Sequence, residues 1–263
     1  MKAAPFLYRR PASLDGALEL LWQHGDEAKV LAGGQSLIPL MAMRLAQPAV
    51  IVDIADLPEL RLRQGLAVGA AVTNSEIEGD CDDLPPIVAA ALPHIGHFQI
   101  RNRGTIGGSL AHLDPAGEWP ALALLLEVKL SLRSRRGERV LSAEQFMRGP
   151  LTTAIEPDEL LTTITFPADQ PAGAAFGFAE VARRPGDFAL AGAACIIRGG
   201  RRRVVVFGTG GMPQLLRDGQ GLESITATGD VHASAAYRRA VCGRLVTRVL
   251  AQAQAQAQVE AGE

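Results

Sequence analysis

Apolar and polar positions alternate with three different rhythms along the chain. Ser13 to Leu21 has helical spacing behind an N-capping serine, and the pattern stops near His24-Gly25. Lys29 to Ala32 predicts a short buried strand. Leu37 to Leu45 predicts a helix, with Pro39 tolerated in a first turn whose amides lack intrahelical partners. Val50 to Ile54 predicts a second strand, which completes a small α/β unit. From Leu57 the rhythm changes. Strands are expected over Leu66 to Ala70 with Val72, over Val128 to Leu132 and Arg139 to Leu141, and over Leu160 to Phe166 before Pro167. The middle pair is joined by the polar turn Ser134 to Gly137. Helices are expected over Leu84 to Ala91 and Pro120 to Leu126, with a cap at Thr73 to Ser75 and a capping box at Ser142 to Gln145.

Pro, Ala, Gly and Asp cluster at Ala168 to Gly173 and mark a boundary. Beyond it, Ala174 to Val181, Ala189 to Ile197 and Arg203 to Phe207 predict an antiparallel sheet of three strands, turning at Arg184 to Asp187 and at Gly199-Gly200. Ala233 to Ala251 predicts a helix. The Ala-Gln repeat from Ala251 to Gln258 has no apolar stripe beyond alanine, so it is expected to fray. The sum is an α+β chain in three parts: 1–55, 56–168 and 169–263.

Two stretches carry the candidate chemistry. In Leu31-Ala32-Gly33-Gly34-Gln35-Ser36-Leu37 a strand runs into paired glycines and then a helix. In Thr105-Ile106-Gly107-Gly108-Ser109 the paired glycines recur beside small polar residues. Glycine turns with positive φ and leaves no side chain in a ligand's way. Amides at a helix mouth attract phosphate. An isolated Gly-Gly pair is usually a turn, but two similar stretches suggest that both grip one diphosphate. Neither is a Walker A motif, because no Lys follows, and neither has the Gly-x-Gly-x-x-Gly spacing.

Composition narrows the field. With 48% hydrophobic residues, 21% charged and a net charge of −2, nothing drives the chain toward nucleic acid or lipid. Cys81, Cys195 and Cys242 are far apart, too few for a Cys-ligated iron–sulfur cluster and without CxxC spacing for zinc. No apolar run is long enough for a membrane helix, and the first residues do not read as a secretory signal, so a cytoplasmic protein is expected. His94 and His97 have i, i+3 spacing, but Pro93 and Gly96 disfavour a regular helix, so packing against a ligand is expected rather than metal binding. His112 with Asp114 is read as a hydrogen-bonded pair that positions the stretch after Ser109. Arg183-Arg184 and Arg201-Arg202-Arg203 are read as solvated turn residues, or alternatively as a docking patch for an acidic partner.

As a set, Ala32-Gly33-Gly34-Gln35-Ser36, Ile95-Gly96 through Arg101-Asn102, Thr105 through His112, Asp114-Pro115 and Gly186-Asp187-Phe188-Ala189 resemble the FAD-binding (medium) subunits of molybdenum hydroxylases. The resemblance spans nearly the whole chain. It implies a p-cresol methylhydroxylase-type fold, with FAD held non-covalently between two α/β subdomains that precede a C-terminal domain. Carried over by position, Ala32 to Ser36 and Thr105 to Ser109 contact the diphosphate and nearby ribitol, Leu31 and Leu37 belong to the same cofactor-binding set, and Ile95 lies near the isoalloxazine ring. Asp114 belongs to the same set. Glu118 stands where relatives place an Asp at the adenosine end. Leu161 is an apolar contact, and Glu180 lies where some relatives carry a Lys near the flavin. The resemblance further implies an electron-transfer oxidoreductase subunit, inactive on substrate alone. Its partners are an iron–sulfur small subunit with [2Fe–2S] clusters, a large subunit with the molybdenum cofactor, and an external electron acceptor. Two other readings stay open: a nucleotide-binding regulatory module without redox activity, and a free-standing flavin oxidase.

Overall fold

The structure, a computed structural model, describes residues 2–168, 174–198, 201–216 and 221–261. The first lobe comprises β1 (Leu7–Arg9), α1 (Leu14–His24), β2 (Ala28–Leu31), α2 (Leu37–Ala42) and β3 (Val50–Asp53). Its strands form a parallel sheet in the order β1-β3-β2. Val50, Ile51 and Val52 are all buried, which explains a strand of continuous rather than alternating apolar residues. Ser13 caps α1 by accepting the Gly16 amide, and Leu14, Ala17, Leu18 and Leu21 turn one face onto the sheet. Strand β1 is absent from the sequence expectation. Its residues Leu7, Tyr8 and Arg9 are exposed on both faces and give no burial rhythm to read.

The second lobe begins with β4 (Arg63–Gln64), β5 (Ala67–Gly69), α3 (Asn74–Gly79), α4 (Pro86–Ala91) and α5 (Phe98–Arg101). It continues with α6 (Ile106–His112), α7 (Glu118–Leu125), β6 (Lys129–Ser134), β7 (Gly137–Ser142) and α8 (Ala143–Phe146). The small ribbon β8 (Met147–Gly149) and β9 (Thr152–Thr153) and then β10 (Leu160–Thr165) complete it. The main sheet is antiparallel in the order β4-β5-β10-β6-β7. Capping boxes at Thr73–Glu76 and Ser142–Gln145 start α3 and α8. Every residue of α7 is buried, as expected of a helix with no polar face.

The rest is β11 (Ala175–Ala182), β12 (Ala189–Arg198), β13 (Arg201–Phe207), β14 (Gln214–Leu216) and α9 (Ala235–Ala261). This sheet has four antiparallel strands, not three, because Gln214, Leu215 and Leu216 pair with Val206, Val205 and Val204. Only three residues long and starting just after Pro213, β14 falls below the length at which period-two alternation can be read. One sheet face, with Ala194, Ile196, Val205 and Phe207, joins the central core beside α7. The other, with Ala191, Ala193, Cys195 and Val206, packs on α9. The Ala-Gln tract is helical rather than frayed. Ala253 is buried in that core, Ala257 packs against it, and Gln256 Oε1 accepts the Phe176 amide at 2.9 Å. Alanine is the right size here: helix and sheet come so close that a Cβ on Gly177 would lie 2.1 Å from the Val249 carbonyl oxygen. The turn Gly199-Gly200 and positions 169–173 of the expected boundary lie outside the described residues.

Candidate functional site

The two glycine stretches meet. Strand β2 ends at Leu31, and the chain then crosses the backbone of residues 103–104. A Cβ on Gly33 would sit 2.0 Å from the Arg103 carbonyl oxygen, so only glycine fits. Gly34 follows with φ of 75°, in the left-handed region. Ser36 does not cap α2 with its side chain. Gln35 folds back to donate Nε2–H to the Gly33 carbonyl at 2.9 Å. Among the described residues, nothing accepts a hydrogen bond from the backbone amides of Gly33, Gly34, Gln35, Ser36 or Leu37. Five consecutive unpaired N–H groups at a helix mouth make a cradle for an anion.

The second stretch is built differently from the sequence expectation. Gly107 and Gly108 lie inside α6, not in a loop, and the nearby amides are already paired. Ile106 donates to Val72 and Gly107 to Ala70, while Gly108 donates to the Thr105 hydroxyl and Ser109 to the Thr105 carbonyl. These amides are therefore not available to a diphosphate. Gly107 is small because α6 lies against the sheet: an added Cβ would meet the Ala70 oxygen at 2.5 Å. The segment thus acts as a buttress, and the Ser109 hydroxyl, which has no hydrogen bond among the described residues, is what it can still offer a ligand. Asn74, which the sequence reading placed only in the Thr73 to Ser75 cap, anchors the buttress. Its amide donates to Gly104 at 2.9 Å, and its Oδ1 accepts Trp119 Nε1–H at 2.8 Å. The only sequence signal was a polar residue just inside the Thr73 cap.

Both chain segments leaving this contact reach one acidic cluster. Upstream, His94 precedes Ile95 and α5. Downstream, α6 leads past Asp114 to Glu118 at the start of α7. Glu180 comes from β11. His94 Nδ1 lies 3.2 Å from Glu180 Oε1, and the Glu180 side chain is 4% exposed. Glu180 Oε2 is buried with no hydrogen-bond partner. Glu118 is 4% exposed. Burial first, and then the charges of Glu180 and Asp114, push its carboxyl up to about 8, so it holds its proton at neutral pH. The hydrogen bond to Glu180 raises His94 against the opposing effect of its partial burial. The His94 ring also packs tilted on Phe178, with centroids 5.2 Å apart.

Several expectations change here. Glu118 and Glu180 lie close enough to influence each other's charge, whereas the resemblance placed one toward the adenosine end of the ligand and the other near the flavin. No hydrogen bond joins His112 to Asp114; Asp114 Oδ1 instead accepts the Ala116 amide at 2.9 Å. Leu161 and Ile95 are buried at 3% and 7% exposure and pack in the central core. Arg203 is not a free surface charge: it donates to the Leu124 and Leu125 carbonyls and pairs with Glu127. Among the described residues no group of His, Cys, Asp and Glu could hold a metal ion.

Comparison with known proteins gives a consistent picture. Residues 4–169 match the family model described as the FAD binding domain in molybdopterin dehydrogenase. The nicotine 6-hydroxylase medium subunit of Paenarthrobacter nicotinovorans is 37% identical, covering 96% of this chain and 99% of its own. The caffeine dehydrogenase subunit beta of a Pseudomonas species is 41% identical over 78% of this chain and 71% of its own. Carbon monoxide dehydrogenase from Hydrogenophaga pseudoflava, solved lacking the Mo-pyranopterin moiety of its cofactor, superposes with a TM-score of 0.90. That match has 31% identity and covers 97% of this chain and 99% of the other.

Proposed function

The chain belongs to the family of FAD-binding domains of molybdopterin dehydrogenases, and we propose that it is the flavin-carrying electron-transfer subunit of a multi-subunit molybdenum hydroxylase. It is an oxidoreductase component with FAD as its cofactor. In the proposed assembly, electrons arrive from [2Fe–2S] clusters on a small subunit, which receives them from a molybdenum-binding large subunit, and leave to an external acceptor. The three cysteines of this chain are free and two are buried, which fits clusters carried elsewhere. Relatives with chains this similar are named for nicotine, caffeine and carbon monoxide, compounds with little chemistry in common. That favours a substrate site on another polypeptide. No helix of the described residues is long and apolar enough to cross a membrane.

The residues present fit FAD. The unpaired amides of residues 33–37 would hold the diphosphate, helped by the Ser109 hydroxyl. Gly33 lets this segment lie against residues 103–104 and Gly34 takes the positive φ that turns the chain into α2, while one buried oxygen of Glu180 has no hydrogen-bond partner among the described residues. When bound, FAD supplies reversible electron storage. The chain orients it, shields it and sets the charge around it. By the same reading, 1–55 and 56–168 are the two flavin-binding subdomains and 169–263 the C-terminal domain. Asp114 shapes the turn into α7 rather than touching the cofactor.

The observation that carries this reading is the row of five free amides braced against residues 103–104. Titrating cofactor-free chain with FAD tests it. One FAD should bind per chain and be released unmodified by mild denaturation, whereas a chain that cannot be made yellow contradicts the reading. Substrate should reduce the bound flavin only after the iron–sulfur and molybdenum subunits are added.

A further inference from the structure

One polar end of a buried asparagine is left over beside the cradle. The Asn74 side chain is 1% exposed. Its amide carries an acceptor oxygen and two N–H donors, and groups buried this far are nearly always partnered. Trp119 settles which way the amide faces. An indole N–H can only donate, so the atom 2.8 Å from Nε1 is Oδ1. Nδ2 takes the other branch, and among the described residues nothing accepts from it. What faces Nδ2 is the space that Gly104 leaves open. A Cβ on Gly104 would stand 3.3 Å from Nδ2 and 3.7 Å from Gln35 Cγ. Gln35 belongs to the cradle, and Gly33 lies on the backbone of residues 103–104. The Asn74 backbone N–H holds the same Gly104 by its carbonyl at 2.9 Å. A free donor on a buried side chain thus stands next to the free amides of residues 33–37, and both call for a group rich in acceptors.

Given the flavin reading above, on which this step rests, we propose that Asn74 Nδ2–H donates to an oxygen of the cofactor's diphosphate. Trp119 is the positioning residue: it holds Oδ1, so that Nδ2 is presented. Neither residue was in the set carried over by the resemblance. The acceptor is anionic, which makes the bond charge-assisted. Residues 33–37 belong to the first lobe and Asn74, in α3, to the second. One diphosphate held by both ties the lobes together.

The test exploits a sparse label. The chain has two asparagines, Asn74 and Asn102. Full cofactor-free chain labelled with nitrogen-15 in asparagine alone gives one side-chain NH2 pair for each, and N102A identifies the pair of Asn74. Adding FAD to wild type should move one proton of that pair downfield and slow its exchange with water. ADP, which carries a diphosphate without the flavin, should do the same at concentrations that displace FAD. N74A, checked for intact folding by circular dichroism, should bind both ligands roughly tenfold to hundredfold more weakly in fluorescence and competition titrations. A pair that FAD leaves unmoved while flavin binds overturns the proposal. So does a pair that FAD moves and displacing ADP does not, or an N74A chain with wild-type affinities. A wild-type chain that binds no FAD removes the flavin reading itself, an outcome distinct from binding that bypasses Asn74.

Discussion

One missing methyl group lets the two glycine segments touch. Gly33→Ala would force a Cβ to 2.0 Å from the Arg103 oxygen, and no rotamer relieves a clash at Cβ. The variant should lose about 1–3 kcal/mol of stability and bind FAD at least about tenfold more weakly, read by urea unfolding and fluorescence titration. Gly107→Ala, facing Ala70 in the same way, should destabilise comparably but weaken FAD only indirectly. The sequence made both glycine pairs visible. It could not separate a glycine that frees amides from one that lets a helix approach a sheet, because that depends on what lies opposite. Glu118 shows the same limit: its position was legible, its neighbour Glu180 was not. With its pKa raised from 4.5 to about 8, the folded chain binds a proton that the unfolded chain releases within that interval. Stability of the cofactor-free protein should therefore fall as pH climbs through this window, by a few kcal/mol in order of magnitude. Glu118→Gln should flatten that slope, so the variant gains on wild type between pH 5.5 and 8.5 in urea titrations. Equal slopes would remove the buried acid from the account.

At the scale of elements, α9 departs most from its sequence. Alanines alternating with glutamines offer little apolar stripe, yet Val249, Ala253 and Ala257 fall four apart on one face and fill the space under the sheet. Periodicity scales weigh alanine lightly. A tight helix–sheet contact at Gly177 makes small residues the ones that fit. Truncation after Leu250 should therefore lower the thermal midpoint by several degrees, and Gln256→Ala alone should cost about 1 kcal/mol by uncovering the Phe176 amide. Unchanged melting of both would mean the tract is dispensable. The missed strands β1 and β14 share another cause. Each is three residues long and is recognised only by the neighbour it pairs with, Val50 to Val52 for one and Val204 to Val206 for the other.

At the scale of the molecule, two lobes and a packed sheet assemble an amide cradle, its buttress at residues 103–109 and an acid cluster of His94, Glu118 and Glu180. Caps and strand rhythm made an α+β chain in three parts legible, and the fold itself followed from the resemblance carried by the glycine motifs. The division of labour between the glycine stretches was not, since hydrogen bonds to Ala70 and Val72 are long-range facts. The central claim is that amides 33–37, and not those of 106–109, hold the cofactor's phosphates. A crystal structure of the chain with FAD measures this directly. The account predicts phosphate oxygens within hydrogen-bonding distance of the 33–37 amides, with the 106–109 amides still paired inside the protein. Phosphates seated elsewhere, with residues 33–37 facing only solvent, would contradict it.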